Sequence, residues 1–128
     1  MHLLLDTHVL LWAAGIPDRL SSQARDILHN PENSLLFSAA SIWEITIKRG
    51  LGRSDFLVEP EVLRRGLVEN GYSELAITSM HVMAVGHLPG IHKDPFDRVL
   101  VAQAATEGVL LLTADDVVAQ YPGPIRRI

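Results

Sequence analysis

Short apolar runs that alternate with helical segments are the feature of this sequence that most restricts its fold. The predicted strands are His2 to Leu5, Leu35 to Ser38, Glu74 to Ile77, Val109 to Leu112 and an edge strand within residues 125–128. The run of four apolar residues at 109–112 is typical of a parallel strand that is covered on both faces. Strands that alternate with helices imply right-handed βαβ units. We therefore expect an α/β fold with a parallel sheet flanked by helices.

Capping and breaking residues place the helices between these strands. The predicted helices are 8–14, 21–28, 39–49, 60–69, 78–85 and a last one that begins at Asp94-Pro95. Asp accepts a hydrogen bond from a free backbone N–H, and Pro is suited to the first helical position. Residues 51–58 and 86–93 are predicted loops because they lack helical periodicity or are rich in Gly and Pro.

Length and residue usage limit the classes of protein. A chain of 128 residues is expected to form one domain, over residues 1–128. The absence of cysteine excludes disulfides, thiolate zinc sites and a cysteine nucleophile. The opening MHLLLD has no basic segment and only three consecutive leucines, so we expect neither a signal peptide nor a membrane span. A cytoplasmic protein with no membrane partner is the expectation.

The formal net charge of −4 argues at first against a nucleic-acid partner. However, six of the fifteen acidic residues fall in segments that resemble functional motifs, leaving nine against eleven Lys and Arg. These six are Asp6, Glu44, Asp94, Asp97, Asp115 and Asp116. If metal ions neutralise them, the rest of the surface is mildly basic, and a nucleic acid remains compatible with the composition.

The helix that follows Asp94 carries two carboxylates at its start. Asp94 is placed to cap the helix, and Asp97 lies in its first turn. The residues after Asp97 are apolar around most of the helix circumference, so this helix is expected to lie deep in the domain. A buried helix that begins with two carboxylates and Arg98 places these charged groups together at one end, as expected at a functional site.

Each acidic residue also has a purely structural explanation. Asp6 or Thr7 can cap the first helix, and the segments Ser41–Glu44 and Thr113–Asp116 match capping boxes. Convergence favours function, because ligand sites of parallel sheets lie outside the carboxyl ends of the strands. Carboxylates gathered there repel one another, and a bound divalent cation removes that cost. Oxygen ligands without cysteine favour Mg²⁺ or Mn²⁺.

Glu44 can lie one turn into its predicted helix, beyond the reach of a cap, where a role facing the metal becomes more attractive. Three further side chains are weaker candidates. His92 is a possible ligand or proton carrier, although a loop histidine bonded to backbone explains it equally simply. Lys48 is a candidate for phosphate binding, with a solvated helix end as the alternative, and Trp43 is a core or interface residue.

Four ordered segments resemble a known family. DTHVLLW, SAASIWEITIK, HKDPFDRVLVAQA and LLLTAD resemble the PIN-domain ribonucleases, specifically the VapC-type toxins of toxin–antitoxin systems, over nearly the whole chain. The resemblance assigns catalytic and metal-binding roles to Asp6, Glu44, Asp97 and Asp115. Asp94 and His92 belong to the HxDPFDR variant of the third motif. Asp94 and Asp116 remain possible metal ligands.

The resemblance implies a five-stranded parallel sheet and Mg²⁺- or Mn²⁺-dependent cleavage of RNA phosphodiester bonds by a metal-activated water. It makes Thr7, Ser38, Thr113, Lys48 and Arg98 candidates for orienting carboxylates or binding phosphate. The family also implies a cognate antitoxin that covers the acidic cleft, and a homodimer. A type II toxin acting as an endoribonuclease is thus the main functional hypothesis.

Two other functions are alternatives. A PIN-like module that binds RNA or protein without turnover would keep the fold and lack activity. An aspartate-based phosphotransfer domain also gathers carboxylates around Mg²⁺, but phosphatases of the haloacid-dehalogenase type need a second Asp where this chain has His8. Response receivers need an acidic pair after the first strand, which Leu5-Asp6 does not provide.

Overall fold

Five parallel strands form a single sheet in the computed structural model, which describes residues 1–128. The strands are β1 (His2–Leu5), β2 (Ser34–Ser38), β3 (Ser73–Leu75), β4 (Leu110–Thr113) and β5 (Ile125–Arg127). Their order in the sheet is β3-β2-β1-β4-β5, and all four pairings are parallel. The predicted α/β class with a five-stranded parallel sheet is confirmed.

Six α-helices connect and cover the strands. They are α1 (Thr7–Gly15), α2 (Ser22–His29), α3 (Ala39–Gly50), α4 (Pro60–Glu69), α5 (Ser79–Val85) and α6 (Pro95–Glu107). Short 3₁₀ helices occupy Pro17–Arg19, Ser54–Phe56 and Val118–Gln120. None of the helices combines the length and apolar character that crossing a membrane requires.

The carboxyl ends of two strands differ from prediction for reasons of pairing. Strand β3 ends at Leu75 rather than at Ile77, because its partner β2 ends at Ser38, which is opposite Leu75. Strand β4 extends to Thr113, because β5 pairs with it up to Arg127. The backbone of a strand stays regular only where a neighbouring strand supplies hydrogen bonds.

The central position of β1 explains why its side chains are apolar on both faces. Leu3 and Leu5 pack in one core cluster with Phe37, whereas Leu4 points to the opposite face and packs with Leu100. Successive side chains of a strand alternate between faces, and helices cover both faces of a parallel sheet. The chain direction of β1 therefore carries Asp6 to the carboxyl edge of the sheet, where its side chain remains buried.

Three helices begin at capping side chains along this same edge. Asp6 Oδ1 accepts from Val9 N–H at 2.9 Å, Ser38 Oγ accepts from Ala40 N–H at 3.0 Å, and Asp94 Oδ1 accepts from Phe96 N–H at 2.9 Å. The prediction for Asp94 is confirmed. Helix α3 begins three residues earlier than a Ser41 capping box requires, so that box does not form and Glu44 lies in the second turn.

Helix α6 lies deep in the domain, as its apolar sequence predicts. Five consecutive residues from Leu100 to Ala104 are buried. Gly108 ends the helix with φ of 67°, a left-handed conformation that glycine adopts without steric cost. This rigid helix fixes the position of Asp97 in its first turn.

Candidate metal centre

A polar cleft opens at the carboxyl edge of the sheet, where β1, β4 and the start of α6 meet the second turn of α3. Its volume is about 310 Å³. The residues that line it are Asp6, His8, Trp12, Glu44, Lys48, His92, Asp94, Asp97, Ala114 and Asp115. The structure thus brings the four predicted acidic residues together, with Asp94 as a fifth carboxylate.

Asp6 is buried and held at both carboxylate oxygens. Val9 N–H donates to Oδ1, and the Thr113 hydroxyl donates to Oδ2 in a short hydrogen bond. Burial raises the pKa of Asp6, and the hydrogen bonds from Thr113 and Val9 act against this shift. Thr113 Oγ1 also accepts from Asp115 N–H at 3.0 Å. The hydroxyl of Thr113 therefore ties two of the acidic positions together, as the predicted orienting role requires.

Asp97 carries a large electrostatic cost in the cleft. Burial raises the pKa of Asp97 to about 8, and the negative charges of Asp94, Glu44, Asp6 and Asp115 add to this effect in that order. All four other carboxylates of the cleft therefore act on this one side chain. A divalent cation beside Asp97 would reverse the effect, because it stabilises the ionised carboxylates.

Glu44 is buried with an incompletely satisfied carboxylate. Its Oε2 accepts a short hydrogen bond from Lys48 Nζ, one helical turn further along α3. Its Oε1 has no hydrogen-bond partner, although the side chain is only 3% exposed. A buried oxygen without a donor is costly, and it indicates a position that a bound cation would complete.

His92 extends from the loop before α6 toward the acidic residues. Its Nε2 lies 3.2 Å from Asp97 Oδ2 and 3.9 Å from Asp115 Oδ2. One ligand atom from each of these three residues falls within 4.8 Å of the other two. The His92 Nδ1 accepts from Asp94 N–H at 3.2 Å, which places the hydrogen of the neutral ring on Nε2. In this tautomer the Nε2–H group of His92 lies near the Asp97 carboxylate.

Two predicted residues lie outside the cleft. Arg98 donates to the backbone carbonyls of Val85, Pro89 and His92, so its guanidinium holds the loop before α6 rather than facing a phosphate. Asp116 is exposed and pairs with Arg127 on β5. The predicted phosphate contact of Arg98 and the possible ligand role of Asp116 are thus not compatible with where these side chains lie.

Thr7 and Ser38 are buried beneath the cleft and support the helices that border it. The Thr7 hydroxyl donates to Ser41 Oγ at 2.9 Å, which joins the first turns of α1 and α3 inside the core. Ser38 is fully buried and caps α3. Both residues position the helices that carry functional side chains, and neither lines the cleft.

Two residues of α1 line the cleft without having been predicted. His8 and Trp12 are four residues apart, so they share a face of the helix that Asp6 caps. The four-residue spacing predicts that both side chains lie on one face of the helix. The sequence does not show that this face borders the acidic residues, because that depends on how α1 packs in the fold.

The residues present fit a divalent cation. The cleft offers several carboxylates and an unpartnered buried oxygen on Glu44. Burial, and then repulsion from the other carboxylates, raises the pKa of Asp97. Hard oxygen donors are the ligands that Mg²⁺ and Mn²⁺ prefer. Asp97, Asp115, Asp6 and Glu44 are the side chains in a position to supply them.

Fold and cleft together define an α/β protein whose parallel sheet gathers a set of carboxylates at one edge, where they form a candidate cation site. The sequence matches the PIN domain family over residues 3–124, which is nearly the whole chain. The chain therefore belongs to the PIN domain family. A comparison with curated proteins finds no match.

Several solved structures share this fold. A chain of VapBC2 from Rickettsia felis, bound to a DNA fragment from their promoter, aligns with a TM-score of 0.73 and 14% identity, covering 100% of this chain and 99% of that one. DNA-bound VapBC from Salmonella typhimurium aligns with a TM-score of 0.66 and 16% identity, covering 99% of this chain and 98% of that one. VapBC-1 from nontypeable Haemophilus influenzae aligns with a TM-score of 0.63 and 18% identity, covering 94% of this chain and 91% of that one. At these identities the likeness concerns the fold.

The protonation of Asp97 makes the stability of the metal-free protein depend on pH. The unfolded chain releases this proton near the ordinary value of 3.8, whereas the folded chain keeps it until about pH 8. Between these values the folded state binds more protons, so the free energy of unfolding decreases as the pH rises. We expect urea unfolding in EDTA to show this loss from about pH 5 to 8, and Asp97→Asn to show a smaller one.

The control for this experiment is Asp116→Asn, which removes an exposed carboxylate outside the cleft. It is expected to keep the wild-type dependence on pH. Equal slopes for wild type and Asp97→Asn would contradict the electrostatic cost assigned to Asp97.

Proposed function

We propose that this PIN domain protein is a VapC-type toxin of a type II toxin–antitoxin pair, acting as an Mg²⁺- or Mn²⁺-dependent endoribonuclease. The observation that carries the proposal is the convergence of five carboxylates on one cleft, with Asp97 at their centre. The family match and the VapBC structures of the same fold support it. The substrate in this proposal is RNA, and single-stranded or looped RNA exposes its backbone and bases most readily.

Asp6, Glu44, Asp97 and Asp115 would hold the cation, with Asp94 at the edge of the set. When bound, such an ion acts as a Lewis acid on a phosphate oxygen and lowers the pKa of an attacking water. No side chain of the protein needs to become a nucleophile. This agrees with the absence of cysteine and with the engagement of Asp6 at both oxygens.

The remaining side chains of the cleft orient this set. Thr113 fixes the Asp6 carboxylate and the backbone of Asp115, while His92 Nε2 lies 3.2 Å from Asp97 Oδ2. Preorganised ligands of this kind spare the site the cost of rearrangement when substrate binds. The positive N-terminal end of α6 adds to the field that would attract a phosphate.

The phosphotransfer alternative is disfavoured by the sequence around Asp6, because His8 stands where a haloacid-dehalogenase-type phosphatase needs a second Asp. Only a measurement of activity separates an inert binding module from a nuclease. An inert module would be a folded protein that leaves RNA intact in the presence of Mn²⁺.

An apolar groove next to the cleft is the site that we propose for the antitoxin. It has a volume of about 1210 Å³ and runs between α1, α2 and α4, with Leu11, Leu28 and Leu63 among its apolar residues. His8 and Trp12 line both the groove and the acidic cleft. A peptide segment bound in the groove would therefore reach the edge of the cleft and obstruct RNA.

A homodimer is also part of the proposal. Trp43 on α3 and Met80 and Met83 on α5 are large apolar side chains that are more than half exposed. A second copy of the chain that covered them would remove apolar surface from water.

Asp97→Asn and Asp6→Asn are expected to reduce RNA cleavage in Mg²⁺ or Mn²⁺ by at least about 100-fold, because each removes a carboxylate from the proposed cation site. The measurement is the cleavage rate of a fluorescently labelled single-stranded RNA. Asp116→Asn is the matched control, since it removes a carboxylate that pairs with Arg127 away from the cleft. Full activity in both cleft variants would refute the proposed nuclease site.

Val62→Glu is expected to weaken antitoxin binding at least tenfold while RNA cleavage persists. Val62 lines the groove and is 58% exposed, so the folded state tolerates the glutamate but an apolar segment would have to bury its charge. Val68→Glu on the same helix is the control, because Val68 is 48% exposed and lies outside the groove.

The measurement is the affinity of each variant for the protein encoded by the neighbouring reading frame, by biolayer interferometry. Equal loss of binding in both variants would show that the groove is not the docking site.

A further inference from the structure

Lys48 places a fixed positive charge inside the acidic cleft. Its Nζ donates to Glu44 Oε2 and lies 3.8 Å from Asp94 Oδ2. The side chain is only 17% exposed, which is unusually low for a lysine. Lys48 is therefore part of the cleft and not a solvated residue at the end of α3.

Two aromatic rings hold the ammonium group in this position. Nζ lies 4.9 Å from the ring centroid of Phe56 and 5.9 Å from that of Phe96. Phe56 is fully buried, and Phe96 is partly buried and packs edge-on against Trp43, with ring centroids 4.9 Å apart. Cation–π attraction of this kind strengthens when the cation is shielded from water. The position of Lys48 is thus determined by contacts from three separate segments.

The cleft is consequently divided into two halves. On one side Lys48 neutralises Glu44 Oε2 and faces Asp94. On the other side the ligand atoms of His92, Asp97 and Asp115 cluster within 4.8 Å, with no Lys or Arg paired to either of these carboxylates. Only the second half lacks a cation of its own.

We propose that Lys48 takes the place of a second metal ion, so that the site binds a single divalent cation on the Asp97 and Asp115 side. This inference rests on the metal-dependent function proposed above. Paired catalytic ions stand about 3.5 to 4 Å apart and share the surrounding carboxylates. A second ion that bridged Glu44 Oε2 and Asp94 would have to displace the ammonium group, which lies between these two carboxylates. Only the unpartnered Oε1 of Glu44 is left for the single ion.

Lys48 also retains hydrogen-bonding capacity toward a substrate. An ammonium group has three N–H donors, and Glu44 and Asp94 engage at most two of them. At least one donor therefore remains for a phosphate oxygen at the cleft. This supplies the charge stabilisation that a second ion provides in two-metal sites.

The test counts Mn²⁺ ions bound per chain, by calorimetric titration and by the electron paramagnetic resonance signal of free Mn²⁺. We expect one ion for wild type and for Lys48→Arg, and two for Lys48→Met, in which Glu44 and Asp94 lose their cation. Arg65→Met is the matched control: Arg65 is exposed on α4 and forms no salt bridge, so the variant has the same net charge as Lys48→Met and is expected to bind one ion. Adding Glu44→Gln to Lys48→Met is expected to restore a count of one.

Two ions on the wild-type protein, or a single ion on folded Lys48→Met, would overturn the role assigned to Lys48. The wild-type count and Lys48→Gln, which keeps a polar side chain of similar length, provide the test if Lys48→Met does not fold. Failure of every protein to bind Mn²⁺ would instead contradict the metal-dependent function itself. The two failures are therefore distinguishable without measuring cleavage.

Discussion

Repulsion among carboxylates at one edge of a parallel sheet is the constraint on which the rest of this structure depends. The sheet order brings Asp6 after β1 beside Asp115 after β4, and helices α3 and α6 add Glu44 and Asp97. Such a gathering is unfavourable in itself: burial raises the pKa of Asp97, and the negative charges of the other four carboxylates raise it further. The fold sustains it with the hydroxyl of Thr113, the ring of His92 and the ammonium of Lys48, and a divalent cation would complete the balance.

Rigid supports keep these charges where chemistry can use them. The central strand β1 is packed on both faces, and α6 is buried along five consecutive residues, so Asp6 and Asp97 are fixed by the core. Arg98 anchors the loop that carries His92 through three carbonyl contacts, and Tyr121 accepts from His92 N–H at 2.8 Å. A site that depends on spacings of a few ångströms needs this support.

Local patterns in the sequence predicted the fold and the acidic set but not the contacts that refine it. Strand and helix order follow from apolar runs and caps, and acidic residues after strands of a parallel sheet must share an edge. Arg98 and Asp116 were assigned incorrectly because their partners, such as Val85 and Arg127, are set by tertiary packing. The contacts of Lys48 with the rings of Phe56 and Phe96 could not be predicted for the same reason. Phe56 lies in a segment that was predicted to be a loop.

Anomalous diffraction from Mn²⁺-soaked crystals tests the central claim most directly. The account predicts one anomalous peak in the cleft, at roughly 2.0 to 2.3 Å from carboxylate oxygens of Asp97 and Asp115, with Lys48 still on Glu44. Soaked crystals of Asp97→Asn should lack the peak. A cleft without manganese in the wild-type crystals, or an ion bound only at acidic residues elsewhere on the surface, would contradict the account.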